Sequence, residues 1–197
     1  MSFKKTGNLF IISAPSGAGK TTLVEALLKE KHEHFSLSRV VTYTSRPMRS
    51  SEIHGRDYHF VSQEEFQNLI EQDHFLEWST AYGAFYGFPH SILNEMVNGS
   101  SFIVIVDRAG ARSLKHHVPS AVMIWICPPD LRTLEERLLA RNTDSREAVT
   151  KRLELAAREM EFEQENPLFE YHIVNVLFNS SLNQIKSIIF TSLKTLI

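Results

Sequence analysis

Apolar residues are arranged along this chain in two alternating patterns. Leu9 to Ile12, Phe102 to Val106 and Val122 to Ile126 are continuous apolar runs of strand length, and Tyr171 to Val174 is a shorter one. Strands that are apolar without interruption belong to a parallel sheet covered on both faces. Between them the spacing becomes helical. A first helix is expected over 20–31, with Leu23, Leu27 and Leu28 turned inward, followed by a polar link over 32–38. Helices are also expected over 108–117, from Pro128-Pro129-Asp130 to Ala140, and from Arg146 to Glu163 beyond a break at Asn142–Ser145. Ile185, Ile188, Ile189, Leu193 and Leu196 are spaced as in a docked terminal helix over 185–197.

Residues 39–88 depart from this alternation. Val40–Tyr43 and Tyr58–Val61 read as strands, with a charged loop from Arg46 to Asp57 between them. Ser62 and Glu65 form a capping box that opens a helix to about Gln72. Phe75–Ser79 and Ala84–Gly87 read as strands around Gly83, and a helix from His90 to Asn98 stops at Gly99. The expected fold is α/β: a parallel sheet with helices on both faces, interrupted by a small β-rich insertion. One domain over 1–197 is expected, with a core of 1–38, 89–136 and 164–197, the insertion at 39–88 and a separate helical region at 137–163.

Composition narrows the functional classes. The 197 residues carry a net charge of −2, so nothing drives the chain as a whole toward nucleic acid or an anionic membrane. Hydrophobic content of 43% with 22% charged residues is that of a folded globular chain. Cys127 is the single cysteine, which suits a reducing cytoplasm, and no signal-peptide pattern opens the chain. No stretch reaches the ~18 apolar residues of a membrane span. The terminal helix, broken by Lys186 and Lys194, has a membrane-surface reading beside the docked one.

The candidate chemistry begins at the first strand. After it comes Ala14-Pro-Ser-Gly-Ala-Gly-Lys-Thr-Thr22, and then a helix. Gly17 and Gly19 let backbone N–H groups turn inward around phosphate oxygens, Lys20 reaches β/γ-phosphates, and the Thr21 hydroxyl suits Mg²⁺. An ordinary Gly-rich turn is the alternative. Asp107 ends a strand; it either orients Mg²⁺ or caps the helix that follows. Arg46 and Arg49, three apart around Pro47, can grip one phosphate, with Tyr58 and Tyr86 as neutral donors. Arg137 and Arg141 share a helical face, and Arg152 lies beyond the break. They can close over a transferring phosphoryl group, or form a solvated face with Glu135, Glu136, Glu147 and Glu154. No metal-ligand cluster or nucleophile triad stands out.

These motifs resemble the guanylate kinase family from residue 8 to about 176. The residues that carry the resemblance are Ser13-Ala-Pro-Ser-Gly-Ala-Gly-Lys-Thr; Thr44-Ser-Arg46-Pro-Met-Arg49 with Glu52, Gly55 and Asp57-Tyr58-His-Phe60; Phe75-Leu-Glu77-Trp; Phe85-Tyr86-Gly87; Asp107-Arg-Ala-Gly110; Pro128-Pro129; and Ile173-Val174-Asn175. The middle block is far more specific than the phosphate loop. The resemblance implies a P-loop NTPase-type sheet, a GMP-binding insertion and a helical lid. It implies Mg²⁺-dependent phosphoryl transfer from ATP to GMP, with no nucleic acid or membrane partner. Ala14, Pro15, Ser16, Gly17, Ala18, Gly19, Lys20, Thr21 and Thr22 would hold ATP, with Asn175 near the adenine. Thr21 and Asp107 would serve Mg²⁺. Arg46, Arg49, Tyr58 and Tyr86 would hold the GMP phosphate, and Thr42 and Glu77 would face guanine. Lys20, Arg46, Arg137, Arg141 and Arg152 would stabilise the transferring group.

Four positions depart from the family pattern. Phe88 and Ile105 stand where it usually carries a polar reader of the base. Ser51 replaces a loop Gly, and Val176 an Asp. Guanine is then expected to be read less stringently, or Phe88 to stack on it. A same-fold kinase for another phosphorylated acceptor, such as a ribose bisphosphate, and a non-catalytic binding module are the rival readings.

Overall fold

The computed structural model describes residues 6–30, 36–50, 52–81, 83–140 and 145–194. Numbered in chain order, the strands β1 (Leu9–Ser13), β2 (Leu37–Arg39), β7 (Ser101–Ile105), β8 (Val122–Cys127) and β9 (Tyr171–Val174) form one sheet in the order β2-β7-β1-β8-β9. The β2–β7 and β8–β9 pairs are parallel. The chain divides into two compact units, Met1–Ile11 with His32–Ala121, and Ile12–Lys31 with Val122–Ile197.

In the first unit a second sheet runs β4-β3-β6-β5, from β3 (Tyr43–Thr44), β4 (His59–Phe60), β5 (Phe75–Ala81) and β6 (Ala84–Pro89). α2 (Gln63–Glu71) is opened by the expected capping box: Ser62 accepts from the Glu65 amide, and the Glu65 carboxylate accepts from the Ser62 amide. Its Phe66 stacks on Phe75 and Phe85 at 4.6 and 5.2 Å between ring centres. Gly87 lies beneath this stack, where a Cβ would fall 2.7 Å from the Phe75 ring. α3 (Ser91–Val97) ends before Gly99, whose φ of 95° is left-handed as expected. α4 covers Arg108–His117.

The second unit holds α1 (Lys20–Leu28), α5 (Leu131–Ala140), α6 (Arg146–Glu165) and α7 (Phe178–Lys194). Leu134 and Leu138 of α5 are buried with Val149 and Ala156 of α6. Asp130 accepts from the Thr133 amide at 2.6 Å and Ser145 from the Ala148 amide at 3.2 Å, capping α5 and α6.

Several boundaries differ from the sequence reading. The strand expected at 40–43 is two strands: Leu37–Arg39 pairs with β7, while Tyr43–Thr44 joins the small sheet. Between them Val40, 2% exposed, still donates its amide to Ile103. β-branched content marked the region, but the change of sheet depends on partners remote in sequence. The polar link therefore ends earlier than 38, and residues 31–35 lie outside the described set. α1 stops at Leu28, and Val24 rather than Leu28 completes its buried face. α7 begins at Phe178 instead of Ile185, because the polar Asn179-Ser180-Ser181 start hides its period. Ile185, Ile189 and Leu193 are buried and α7 packs on α1, so the docked reading holds. Among the described residues no helix is long and apolar enough to cross a membrane.

Candidate active site

In the second unit, the loop between β1 and α1 takes the shape its glycines permit. Gly17 and Gly19 have φ of 90° and 97°. A Cβ at Gly17 would come within 2.8 Å of Leu134, and one at Gly19 within 2.7 Å of Asn175 Nδ2. Both positions thus need glycine for conformation and for space. Lys20 Nζ folds back on the loop, donating to the carbonyls of Ala14 and Pro15 at 2.7 and 3.3 Å. Ala14, Pro15 and Ala18 are buried, Ser16 is half-buried, and Thr21 and Thr22 are exposed.

Asn175, 6% exposed, links three parts of this unit. Its Nδ2 donates to Ala18 at 2.8 Å, its amide to Cys127, and its carbonyl accepts from Arg137 Nη2 at 2.8 Å. Arg137 is therefore turned toward the loop and not into an exposed row of glutamates. Its Nη1 is buried without a hydrogen-bond partner. One cleft is lined by Gly17, Gly19, Thr22, Arg137, Asn175 and Phe178. A cleft of backbone N–H groups, a helix start and an arginine with an unused donor suits phosphate. Arg152 is half-buried on α6. Arg141, like Ser51, lies outside the described residues.

In the first unit the acceptor candidates follow from strand register. Thr44 pairs with Tyr86 and Phe60, Ser79 with Tyr86, and Glu77 with Phe88. Paired residues share a face, as do residues two apart. Thr42, Tyr58, Glu77 and Tyr86 consequently lie on one face of the small sheet, and α2 packs on the other. The Tyr58 and Tyr86 rings are 6.1 Å apart, and the Arg46 guanidinium lies 5.2 Å above Tyr58 and 5.4 Å above Phe60.

Glu52 orients that guanidinium, an arrangement that spacing alone did not reveal. It accepts from Arg46 Nη1 and Nη2 at 2.7 and 2.5 Å and from the Arg49 amide at 2.9 Å. Burial opposes the Glu52 charge, but the Arg46 and Arg49 hydrogen bonds outweigh it and hold this carboxyl below the usual range. The side chain of Arg49 is exposed in the same loop.

Glu77 is half-buried and has the opposite environment. Burial, and then the charge of Asp107, push its carboxyl up to about 7. Asp107 does cap α4: its Oδ1 accepts from the Gly110 amide at 2.8 Å. At Gly110 a Cβ would lie 3.4 Å from Asp107 Oδ1 and 3.6 Å from Glu77 Oε2, so the two carboxylates converge on the start of α4. Phe88 is 1% exposed. Its pairing with Glu77 puts it on the same face, but protein atoms already cover its ring, against the stacking expectation. Ile105 is half-buried at the end of β7.

A family model described as "Guanylate kinase" matches residues 6–192. The chain belongs to the guanylate kinase family. It is 41% identical over 184 residues to a guanylate kinase of Shewanella sp. strain MR-7, covering 93% of this chain and 86% of that one. It is 43% identical to a guanylate kinase of Nitrosospira multiformis, with coverage of 93% and 85%. The crystal structure of guanylate kinase from Anaplasma phagocytophilum is similar with a TM-score of 0.77 at 27% identity, covering 96% of this chain and 87% of that one. The parallel sheet and flanking helices of this guanylate kinase family member match that neighbour's fold.

Proposed function

We propose that the two clusters divide the ATP:GMP phosphotransferase reaction of this guanylate kinase between them. The loop 14–22, with Arg137 and Asn175, takes ATP. The small-sheet face takes GMP: Arg46, Arg49, Tyr58 and Tyr86 hold its phosphate, and Thr42 and Glu77 face its base. A GMP phosphate oxygen attacks the γ-phosphorus in line, the bond to the β-phosphate oxygen breaks, and ADP and GDP leave. Lys20 and arginines neutralise the equatorial oxygens, so the protein's part is positioning and charge. Residues 39–88 serve as the acceptor insertion and 137–163, with Arg141 and Arg152, as the lid.

The exposed Thr21 hydroxyl and the Asp107 carboxylate are each a hard oxygen donor of the kind Mg²⁺ takes, and these two residues would hold it. When bound, Mg²⁺ neutralises charge on the β- and γ-phosphates. The single cysteine fits a cytoplasmic setting.

The observation that carries the acceptor assignment is the common face of Thr42, Tyr58, Glu77 and Tyr86, with Asp107 near Glu77. The Glu77 carboxylate matches the N1–H and 2-amino donors of guanine, whereas a bisphosphate would be repelled by it and by the neighbouring Asp107. The intact Lys20 loop argues against a non-catalytic module. A coupled ADP-release assay over nucleoside and sugar phosphates tests this. GMP should give the highest kcat/KM; faster turnover of a ribose bisphosphate, or none of any acceptor, overturns it.

A further inference from the structure

Arg39 ends β2 and belongs to none of the groups above. Its side chain is only 14% exposed. Its Nη2 donates to the main-chain carbonyl of Asp57 at 3.2 Å, and its Nη1 lies 4.0 Å from Asp57 Oδ1. That carbonyl belongs to the peptide group joining Asp57 to Tyr58. Hydrogen bonds within the loop shape the backbone around it. Asp57 Oδ2 accepts from the Ile53 amide at 2.8 Å and from Arg56, the Asp57 amide donates to Ile53, and the Gly55 amide donates to Tyr58. Arg39 thus connects this loop to the end of a strand in the central sheet.

Two details separate Arg39 from a general stabilising ion pair. The Asp57 carboxylate already has a partner in Arg56 at 2.9 Å, so charge balance does not require a second arginine. And Arg39 Nε is buried with no hydrogen-bond partner, an unfavourable arrangement that a side chain kept for stability alone would avoid. Burial pushes the Tyr58 phenol up, and among the surrounding charges that of Arg39 is the strongest acting on it. The guanidinium therefore lies within electrostatic reach of that hydroxyl.

We infer that Arg39 is a positioning residue for the acceptor phosphate: it fixes the peptide that leads into Tyr58 and so holds Tyr58 beside Tyr86 and Arg46. This rests on the assignment of Tyr58 to the acceptor side. The experiment is a double-mutant cycle with R39M, Y58F and R39M/Y58F, plus R39K, each measured for kcat, both Michaelis constants and Tm. Y58F should raise the GMP KM about tenfold, the loss of one hydrogen bond to a charged group. R39M should raise it about five- to tenfold, leaving kcat and the ATP KM within about twofold, because it acts through that same bond. R39K, which keeps a donor for the Asp57 carbonyl, should recover part of the loss. In the Y58F background R39M should add no more than about twofold, the mark of coupled groups.

If both single variants raise the GMP KM and their effects multiply, Arg39 does not act through Tyr58 and the inference falls alone. If R39M lowers Tm but leaves the GMP KM unchanged, its role is structural and the inference falls as well. If Y58F leaves the GMP KM unchanged, the acceptor assignment of Tyr58 fails, and this inference with it. Should R39M not fold, the cycle with R39K and R39K/Y58F makes the same distinction.

Discussion

Lys20 rests on the carbonyls of Ala14 and Pro15, within the loop it is meant to serve. In the proposed reaction its charge acts where phosphate oxygens gain negative charge. Lys20→Ala should lower kcat by at least ~10²-fold, as removal of one preorganised donor does, while Tm stays within a few degrees. A folded variant with near-normal turnover would remove the donor assignment. Glu77 makes a prediction about pH. Its folded carboxyl lies at about 7 against an ordinary 4.5, raised by burial and then by Asp107. Between those values the folded chain keeps a proton that the unfolded chain has lost. Its contribution to stability is present below 4.5 and lost as pH rises through about 7. Glu77→Gln should therefore become more stable relative to the unmodified, ligand-free protein as pH is raised over that window. Urea unfolding across the window checks this, and a difference that does not vary with pH counts against the raised carboxyl.

At the scale of elements, the link from α6 to β9 depends on one carboxylate. Glu163 is 2% exposed and accepts from the amides of Leu168 and Phe169 at 2.9 and 3.1 Å, and contacts His172 Nε2 at 3.1 Å. Glu163→Ala leaves two backbone donors without an acceptor and should cost about 2–6 kcal/mol in urea unfolding, at about 1–3 per orphaned group. Glu163→Gln keeps an acceptor and should cost clearly less; equal losses would mean that packing, not hydrogen bonding, sets the role. Local rules made several elements readable. α4 was expected at 108–117 and is found there, and the Ser62–Glu65 box opens α2 as expected. A cap involves residues three apart, which the sequence states directly. The start of α7 was missed because Ser181, buried in the fold, reads as polar in the sequence.

For the whole molecule, the residues proposed for ATP and those proposed for GMP fall in different compact units, so ligand-linked stability should separate them. A ligand at 100 times its Kd stabilises the folded state by about 2.7 kcal/mol. Arg49→Ala should cut the thermal shift given by GMP and spare that given by a non-hydrolysable ATP analogue. Equal loss of both shifts would move Arg49 from the acceptor to the fold or the donor side. The sequence alone determined the central strands, because continuous apolarity is a local record of burial on both faces. It determined the glycine loop between β1 and α1 too, since Gly17, Gly19 and Lys20 shape it through neighbours in the chain. Only the tertiary structure decided that residues 37–44 serve two sheets, that Phe88 is core, and that Arg137 turns to Asn175. It also decided that Glu52 orients Arg46, and that Glu77 meets Asp107. These outcomes depend on partners brought together by strand pairing and helix packing, whose identity no local pattern of residues records.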